Sequence, residues 1–486
     1  VVKNSINFEA EFLLMEEERQ RYSREEEDIN RVIQRFERMK RNNENYFFDV
    51  SDFETIIDYY IERNNLSKAF EAASIASRQH PNSVPLQLRN AKVLLDRGRI
   101  EESLRILKRL EMLEPWNHEI FIAKGTGLAM MGDIEGALKM FDVALTKDSD
   151  DIENILYSIS SVLQNLNYFR QVIPYLERLI EYEPDFPEHL FDIAYALEKI
   201  GDFEKSINYY NKYLDEDPYS DSAWNNLAMI YFKIRKYEEA IEAYDFALAL
   251  NSHDELALQG KGLVLLNMAR YEEAIQVFKE YLQDDQDNFE VLTFLGECYE
   301  KSGNYELARK YYYEAVEIDQ DFADAWIGLG SVELKDGNAD KSLACLRKAA
   351  ENSSDNAEIW FLSGKAFLLN NNPKRALRCF RESLKIDPYF NDAWIELGKI
   401  IVSEKMIEKS IPFLERANRA TGDIPGINFL LGTFYYYTGL ENEAEAHLST
   451  AIKLDPDIFN SFNQLLQLFE FNNKLETFIN KFNSDN

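Results

Sequence analysis

The stretch AWNNLAMIYFKIRKYEEAI (residues 223–241) decides the fold. Trp224, Leu227, Ala228 and Tyr231 are spaced i, i+3, i+4, i+7, which places them on one face of a helix. A step of 34 residues carries Trp224 onto Leu258, Leu292, Trp326, Trp360 and Trp394, and one step backward onto Leu190. The same step carries Ala240 onto Ala274, Ala308, Ser342, Ala376, Ser410 and Ala444, and backward onto Ser206. One extra residue in KDSDD (147–151) shifts the register, which resumes upstream at Ala137, Ser103 and Ala69. Twelve repeats follow, starting at residues 50, 84, 118, 153, 187, 221, 255, 289, 323, 357, 391 and 425. A period of this length signals a stacked repeat architecture rather than a set of globular domains.

Within a repeat, positions 4, 7, 8 and 11 form one helix face and positions 20, 24 and 27 a second. Gly98, Gly132, Gly201, Gly303, Gly337 and Gly439 fall at position 15 and break the chain between the two helices. Position 8 is mostly small, as at Ala228, Gly262, Gly296 and Gly398. With the small residue at position 20, it lets the paired helices approach at the short end of the roughly 8–10 Å packing range.

The pattern Trp224, Leu227, Ala228, Tyr231, Ala240, Tyr244, Ala247, repeated as Leu292, Leu295, Gly296, Tyr299, Ala308, Tyr312, Ala315, resembles the tetratricopeptide repeat. Its closing proline stands at Pro81, Pro115, Pro184, Pro218, Pro388 and Pro456, and the resemblance covers roughly residues 50–485. It implies an all-α fold, a right-handed α-solenoid superhelix of antiparallel helix pairs. The expected organisation is a charged arm and N-capping helix over 1–49, twelve repeats over 50–458, and a C-terminal capping helix pair over 459–486. Ile29, Val32, Ile33 and Phe36 would cover the first repeat. Phe462, Leu465 and Phe469 would cover the last, with Phe478 where a small residue is expected. Residues 1–23 read as a helix or an arm.

The chain of 486 residues carries a formal charge of −32, which repels phosphate backbones and anionic headgroups and argues against nucleic-acid binding. No apolar run approaches the roughly 18–20 residues of a membrane helix, so no membrane insertion is expected. The opening VVKNSINFEAEFLLMEEER has no basic segment followed by an apolar core and does not read as a secretory leader. Cys298, Cys345 and Cys379 are odd in number and irregularly spaced, which fits buried, reduced thiols in a cytoplasmic compartment.

No chemistry-bearing motif survives inspection. GTGLAMMG (125–132) and the other glycine pairs lack the phosphate-loop lysine and follow no strand. His80, His118, His189, His253 and His447 lie in separate repeats without metal-ligand spacing, and read as surface or linker residues. The runs EEE at 16–18 and 25–27 read as solvated helix faces. The expectation is therefore no enzyme, no cofactor and no metal.

The resemblance implies that helix A of each repeat lines a concave groove, with positions 2, 5, 6, 9 and 12 facing it. In repeats three and four these include Ile122, Ala123, Thr126, Tyr157, Ser158 and Ser161, without a charge at positions 5, 6, 9 or 12. Phe191, Asp192, Tyr195, Asn225, Asn226, Met229, Phe232, Gln259 and Leu263 continue the stripe, which looks poor in charge for so charged a chain. Rings beside amides suit an extended peptide, because rings accept side chains and amides pair with main-chain groups. Asn225 and Asn226 are the leading candidates. The clamp of Lys, Asn and Arg that chaperone-binding members use is absent: position 5 is never Lys, and Lys92, Lys365 and Lys399 at position 9 have no asparagines arranged around them. The expected function is a non-catalytic protein-interaction scaffold binding a basic or neutral peptide segment. The alternative is a structural subunit of a larger envelope or secretion complex, using its convex face and N-terminal arm.

Overall fold

The computed structural model describes residues 28–148 and 151–469. The expectations for residues 1–23, for Phe478 and for the remainder of the C-terminal cap lie outside the described residues. Those residues contain no strand. They form two compact units, Val1–Ala223 and Trp224–Asn486, with the division inside the first turn of the helix Asp221–Lys233. Each unit is a solenoid of helix pairs.

Helix A begins within one residue of position 1 in every repeat, from Val50–Glu62 to Pro425–Tyr437. The short connection to helix B turns on a single left-handed residue at position 15. Six repeats use glycine there, at φ between 72° and 84°; Asn64, Asn167, Arg235, Ala269, Asn371 and Lys405 serve in the other six, at φ between 53° and 61°. That conformation reverses the chain and lets the last helix A carbonyls find donors, as in Gly303 N–H to Glu300 O (3.0 Å) and Asn304 N–H to Tyr299 O (2.8 Å). Helix B then often starts from an Asn or Asp cap, such as Asn304 accepting from Leu307 N–H.

Inside most pairs the small position 8 meets the large position 24. A Cβ on Gly262 would overlap the Phe278 ring, and one on Gly125 the Phe141 ring. Three of the four serines at position 20 add a bond to the same place on helix A. Ser103 donates to Ala91 O (2.7 Å), Ser206 to Ala194 O (2.6 Å) and Ser342 to Gly330 O (2.7 Å). The tryptophans of position 4 fasten a repeat to the linker before it: the indole N–H of Trp326 donates to Gln320 O, that of Trp360 to Ser354 O and that of Trp394 to Pro388 O.

In the first unit a helix over 28–42 packs Ile33, Phe36 and Met39 into the core of the first repeat, where Phe36 meets Phe48 and Tyr60 at 5.9 and 6.3 Å. Glu37 on its outer edge accepts hydrogen bonds from Tyr60 Oη and Lys68 Nζ, both 2.5 Å. Ile29 stays 37% exposed, outside this contact. In the second unit the chain past repeat twelve forms two single turns, Ile458–Ser461 and Asn463–Leu466, which bury Phe462, Leu465 and Phe469. No helix among the described residues is long and apolar enough to cross a membrane.

Candidate functional site: two pockets on the helix A stripe

The stripe read from the sequence lines a pocket in each unit. In the first, Ile122, Ala123 and Thr126 from the helix His118–Met130 meet Tyr157, Ser158 and Ser161 from the helix Ile152–Asn165 around a pocket of about 580 Å³. Tyr157 stands 61% exposed at its mouth. Thr126 Oγ1 donates to Ile122 O (2.9 Å), which leaves its lone pairs for an incoming N–H. The charged lining residues are Lys92, Asp96, Glu119 and Asp151, beside His118. Lys92 Nζ pairs with Glu119 (2.6 Å), and His118 lies 3.9 and 3.7 Å from the carboxylates of Asp148 and Asp151.

Phe191 and Tyr195 do not join this pocket. Phe191 packs edge-on against Tyr210 and Tyr213, both at 5.4 Å, and Tyr195 against Phe169 at 5.8 Å with the Lys199 ammonium over its ring. In the second unit Phe232 leans on Tyr237 (6.0 Å), and both Phe232 and Leu263 fringe the core. Asn226 and Gln259 are half-buried, and Met229 is 37% exposed.

Asn225, the leading candidate, is turned inward. Only 7% exposed, it donates from Nδ2 to Asp254 Oδ2 (2.5 Å), while Asp254 Oδ1 caps the next repeat by accepting from Leu256 and Ala257 N–H. Its Oδ1 is buried without a hydrogen-bond partner among the described residues. The sequence could not distinguish an asparagine reaching outward from one holding a helix cap 29 positions away.

The second pocket, about 510 Å³, lies across repeats eight to ten. Thr293, Phe294, Ile327 and Ser331 line it with five carboxylates, Glu290, Glu297, Glu300, Asp324 and Glu358; Lys301 is the one cation among the lining residues. Glu300 accepts hydrogen bonds from Ser331 Oγ (2.6 Å) and Tyr312 Oη (3.0 Å). Burial pushes the Glu297 carboxyl above its usual range; Lys301 opposes the shift, while Glu300 and Asp324 add to it. Positions 5, 6, 9 and 12 of repeats three and four carry no charge, though Glu119 at position 2 lines the first pocket, and the expectation of a charge-poor stripe fails in this second pocket. The signal was legible, because positions 2, 9 and 12 of repeat eight are all Glu.

A carboxyl with a folded pKa above its unfolded value costs stability once ionised, and stops costing it as pH falls toward 4.5. Glu297→Gln is accordingly expected to stabilise the protein at pH 7 by on the order of 0.5 kcal/mol and to be neutral near pH 4. Thermal melts at both pH values check this, and a gain that persists at low pH would contradict it.

The remaining chemistry-bearing residues are structural. Cys298, Cys345 and Cys379 are buried and unpaired, and burial pushes their thiols up to about 12, 11 and 11, so they are poor nucleophiles at neutral pH. His189 is not the surface or linker residue expected. It is 2% exposed, with Nε2 against Glu183 (2.8 Å) and its ring against Phe186, because it turns into the junction that closes helix B of repeat four. His447 is half-buried, stacked on Tyr435 with Nδ1 against Asn428 Oδ1 (2.7 Å).

Tetratricopeptide repeat family models match residues 160–221, 222–254, 265–326, 327–391 and 425–458, more than half of the chain together. No curated protein matches. Among solved structures, similarity is found to YrrB, a TPR protein described as having an unusual peptide-binding site. Identity is 24%, over 38% of this chain and 95% of that one, with a TM-score of 0.32. PilW, described as a widely conserved type IV pilus biogenesis factor, is 19% identical over 43% of this chain and 96% of its own, at a TM-score of 0.39. A tetratricopeptide repeat protein from Parabacteroides merdae ATCC 43184 is 17% identical over 58% and 97%, at 0.38. With its repeated helix pairs, its small-on-large packing positions and these matched segments, the chain belongs to the tetratricopeptide repeat family, whose members are generally non-catalytic scaffolds for protein interaction.

Proposed function

We propose that this scaffold binds extended segments of partner proteins on its helix A stripe, and that its two pockets take different chemistries. The pocket of repeats two to four takes an uncharged segment, with Tyr157 as the aromatic anchor and Thr126, Ser158 and Ser161 meeting main-chain groups. The pocket of repeats eight to ten takes a segment bearing Lys or Arg, whose cation reaches the carboxylates of Glu297 and Glu358 past the Phe294 ring. Asn226, Met229, Phe232, Gln259 and Leu263 flank the stripe, and Asn225 acts through Asp254. The observation that carries this reading is that the same repeat positions line a concavity in each unit. The buried, unpaired cysteines support a reducing, cytoplasmic setting.

The test is to pan a random peptide library on the protein and titrate the enriched peptides against variants. Uncharged peptides should lose about tenfold in affinity with Tyr157→Ala, and basic ones should lose a similar factor with Glu297→Gln/Glu358→Gln. Only the second set should weaken steeply with salt. Peptides that bind all variants equally would remove the reading.

The alternative, a structural subunit using another face, has one observation in its favour. Met112, Leu113 and Trp116, at the end of helix B of repeat two, are 80%, 60% and 65% exposed. Loss of co-purifying partners with Trp116→Ser or deletion of residues 1–45, but not with Tyr157→Ala, would favour it.

A further inference from the structure

Repeat eleven departs from the packing rule of the others. In six repeats the position 8 glycine of helix A faces the position 24 side chain of its own helix B, as Gly364 faces Phe380 and Gly432 faces Leu448. The side chains nearest a Cβ placed on Gly398 are instead Leu430, from the next helix A, and Leu465, each at 2.8 Å. The position 20 serine departs with it. Ser410 donates to Ile407 O (2.7 Å), whereas its three counterparts donate to the position 8 carbonyl.

The segment carrying Leu465 lies on the groove positions of two repeats. Phe429, at position 5 of repeat twelve, is fully buried under Phe459 and Phe462, with ring centroids 5.3 and 4.6 Å away. Tyr157, at the same position of repeat four, is 61% exposed. Lys399, at position 9 of repeat eleven, donates to Gln464 Oε1 (2.9 Å). A segment that merely closed the stack would rest on repeat twelve, the last in line. This one reaches back to repeat eleven and takes the place of a contact within it. It does so as two single turns, with Ile458, Phe462, Leu465 and Phe469 supplying the apolar face.

We propose that residues 455–469 are an internal ligand, and that the helix A faces of repeats eleven and twelve are a docking surface for partner segments of the same kind. Such a segment is short and helical, with large apolar side chains at i, i+4 and i+7 and an amide for Lys399. A partner gains this surface when the internal segment leaves, so its apparent affinity is scaled by the fraction of molecules that are open. The surface is separate from the two pockets, so its test stands or falls apart from theirs.

The probe is a fluorescein-labelled synthetic peptide, DPDIFNSFNQLLQLF (residues 455–469), titrated by anisotropy against full-length protein. Phe462→Ala/Leu465→Ala should bind it at least about tenfold more tightly than the wild type, and adding Phe429→Ala should abolish the gain. In a second arm, Lys399→Cys/Gln464→Cys is joined by a short bismaleimide, the native cysteines being buried. The joined protein should bind no peptide, and the same variant left unjoined should bind it. Equal binding by wild type and weakened variant, or by joined and unjoined protein, would overturn the proposal. Should the weakened variant fail to fold, hydrogen exchange on the wild type decides. Amides of 458–466 exchanging well before those of Phe429–Tyr435 is the expected result, and a common rate overturns it.

Discussion

Phe278→Ala is expected to destabilise the second unit by about 3–5 kcal/mol. The ring is fully buried and fills the space that Gly262 leaves open on helix A. No neighbour can collapse into the void without moving a helix, because the backbone on the far side already stands at closest approach. Gly262→Ala inserts an atom into the same contact and is expected to cost about 1–3 kcal/mol, as the ring is forced aside. The two sites share one volume, so Gly262→Ala/Phe278→Leu should cost less than the sum of its parts. Urea unfolding of the wild type, Gly262→Ala, Phe278→Leu and the double variant measures the coupling, and strict additivity would mean that the two positions do not pack as described. Each repeat contacts chiefly its neighbours, so hydrogen exchange should locate the loss in repeat seven and beside it.

Arg309→Leu is expected to cost about 3 kcal/mol. Arg309 sits on helix B of repeat eight (Tyr305–Ile318) and reaches helix A of repeat nine (Ala323–Lys335). There Nε donates to Glu333 Oε1 at 2.9 Å, and the guanidinium also pairs with Asp336. Glu333 is only 3% exposed at its side chain, and its other oxygen accepts from Asn338 Nδ2 (2.9 Å). Removing the cation leaves a buried carboxylate with one neutral donor, which is far costlier than the loss of a surface ion pair. Glu333→Gln in the Arg309→Leu background should restore part of the loss, because a neutral amide tolerates the site better than an unpaired charge. Thermal melts of the single and double variants test this. A change within about 0.5 kcal/mol for Arg309→Leu would place the pair among ordinary surface bridges.

The fold was legible because the packing rule is periodic. Trp224, Ala228, Ala240 and Tyr244 each have one counterpart per repeat, and a register held across many copies needs no tertiary information to be seen. The left-handed turn was half legible: six repeats announce it with glycine, while Arg235, Ala269 and Lys405 hold the same conformation without a local sign. The pockets were legible as positions but not as depth. Thr126 and Tyr157 meet as their spacing implies, whereas the rings of Phe191 and Tyr195 turn onto neighbouring aromatics. A polar residue on the stripe can face the ligand side or a helix cap in the next repeat, and Asn225 takes the cap. That choice depends on Asp254, far along the chain. The return of Leu465 to Gly398 was invisible for the same reason: the repeat code describes neighbours, and this contact skips one.

The left-handed residue recurs at the same place in all twelve repeats, and most of the packing on either side of it is within a repeat or with its neighbour. The chain is thus assembled from interchangeable cassettes with a standard joint. A duplication or excision of one whole period in the gene would bring together two ends already shaped for each other. The extra residue within 147–151 shows the complementary freedom. The helix before it, Ile134–Leu145, has 12 residues where most second helices have 14, and the helix after it, Ile152–Asn165, has 14 where most first helices have 13, so an insertion too small to make a cassette is absorbed at the helix ends beside the linker and spares the interlocking faces. Such a protein can change its reach, and the set of surfaces it offers, by whole units without inventing a new core.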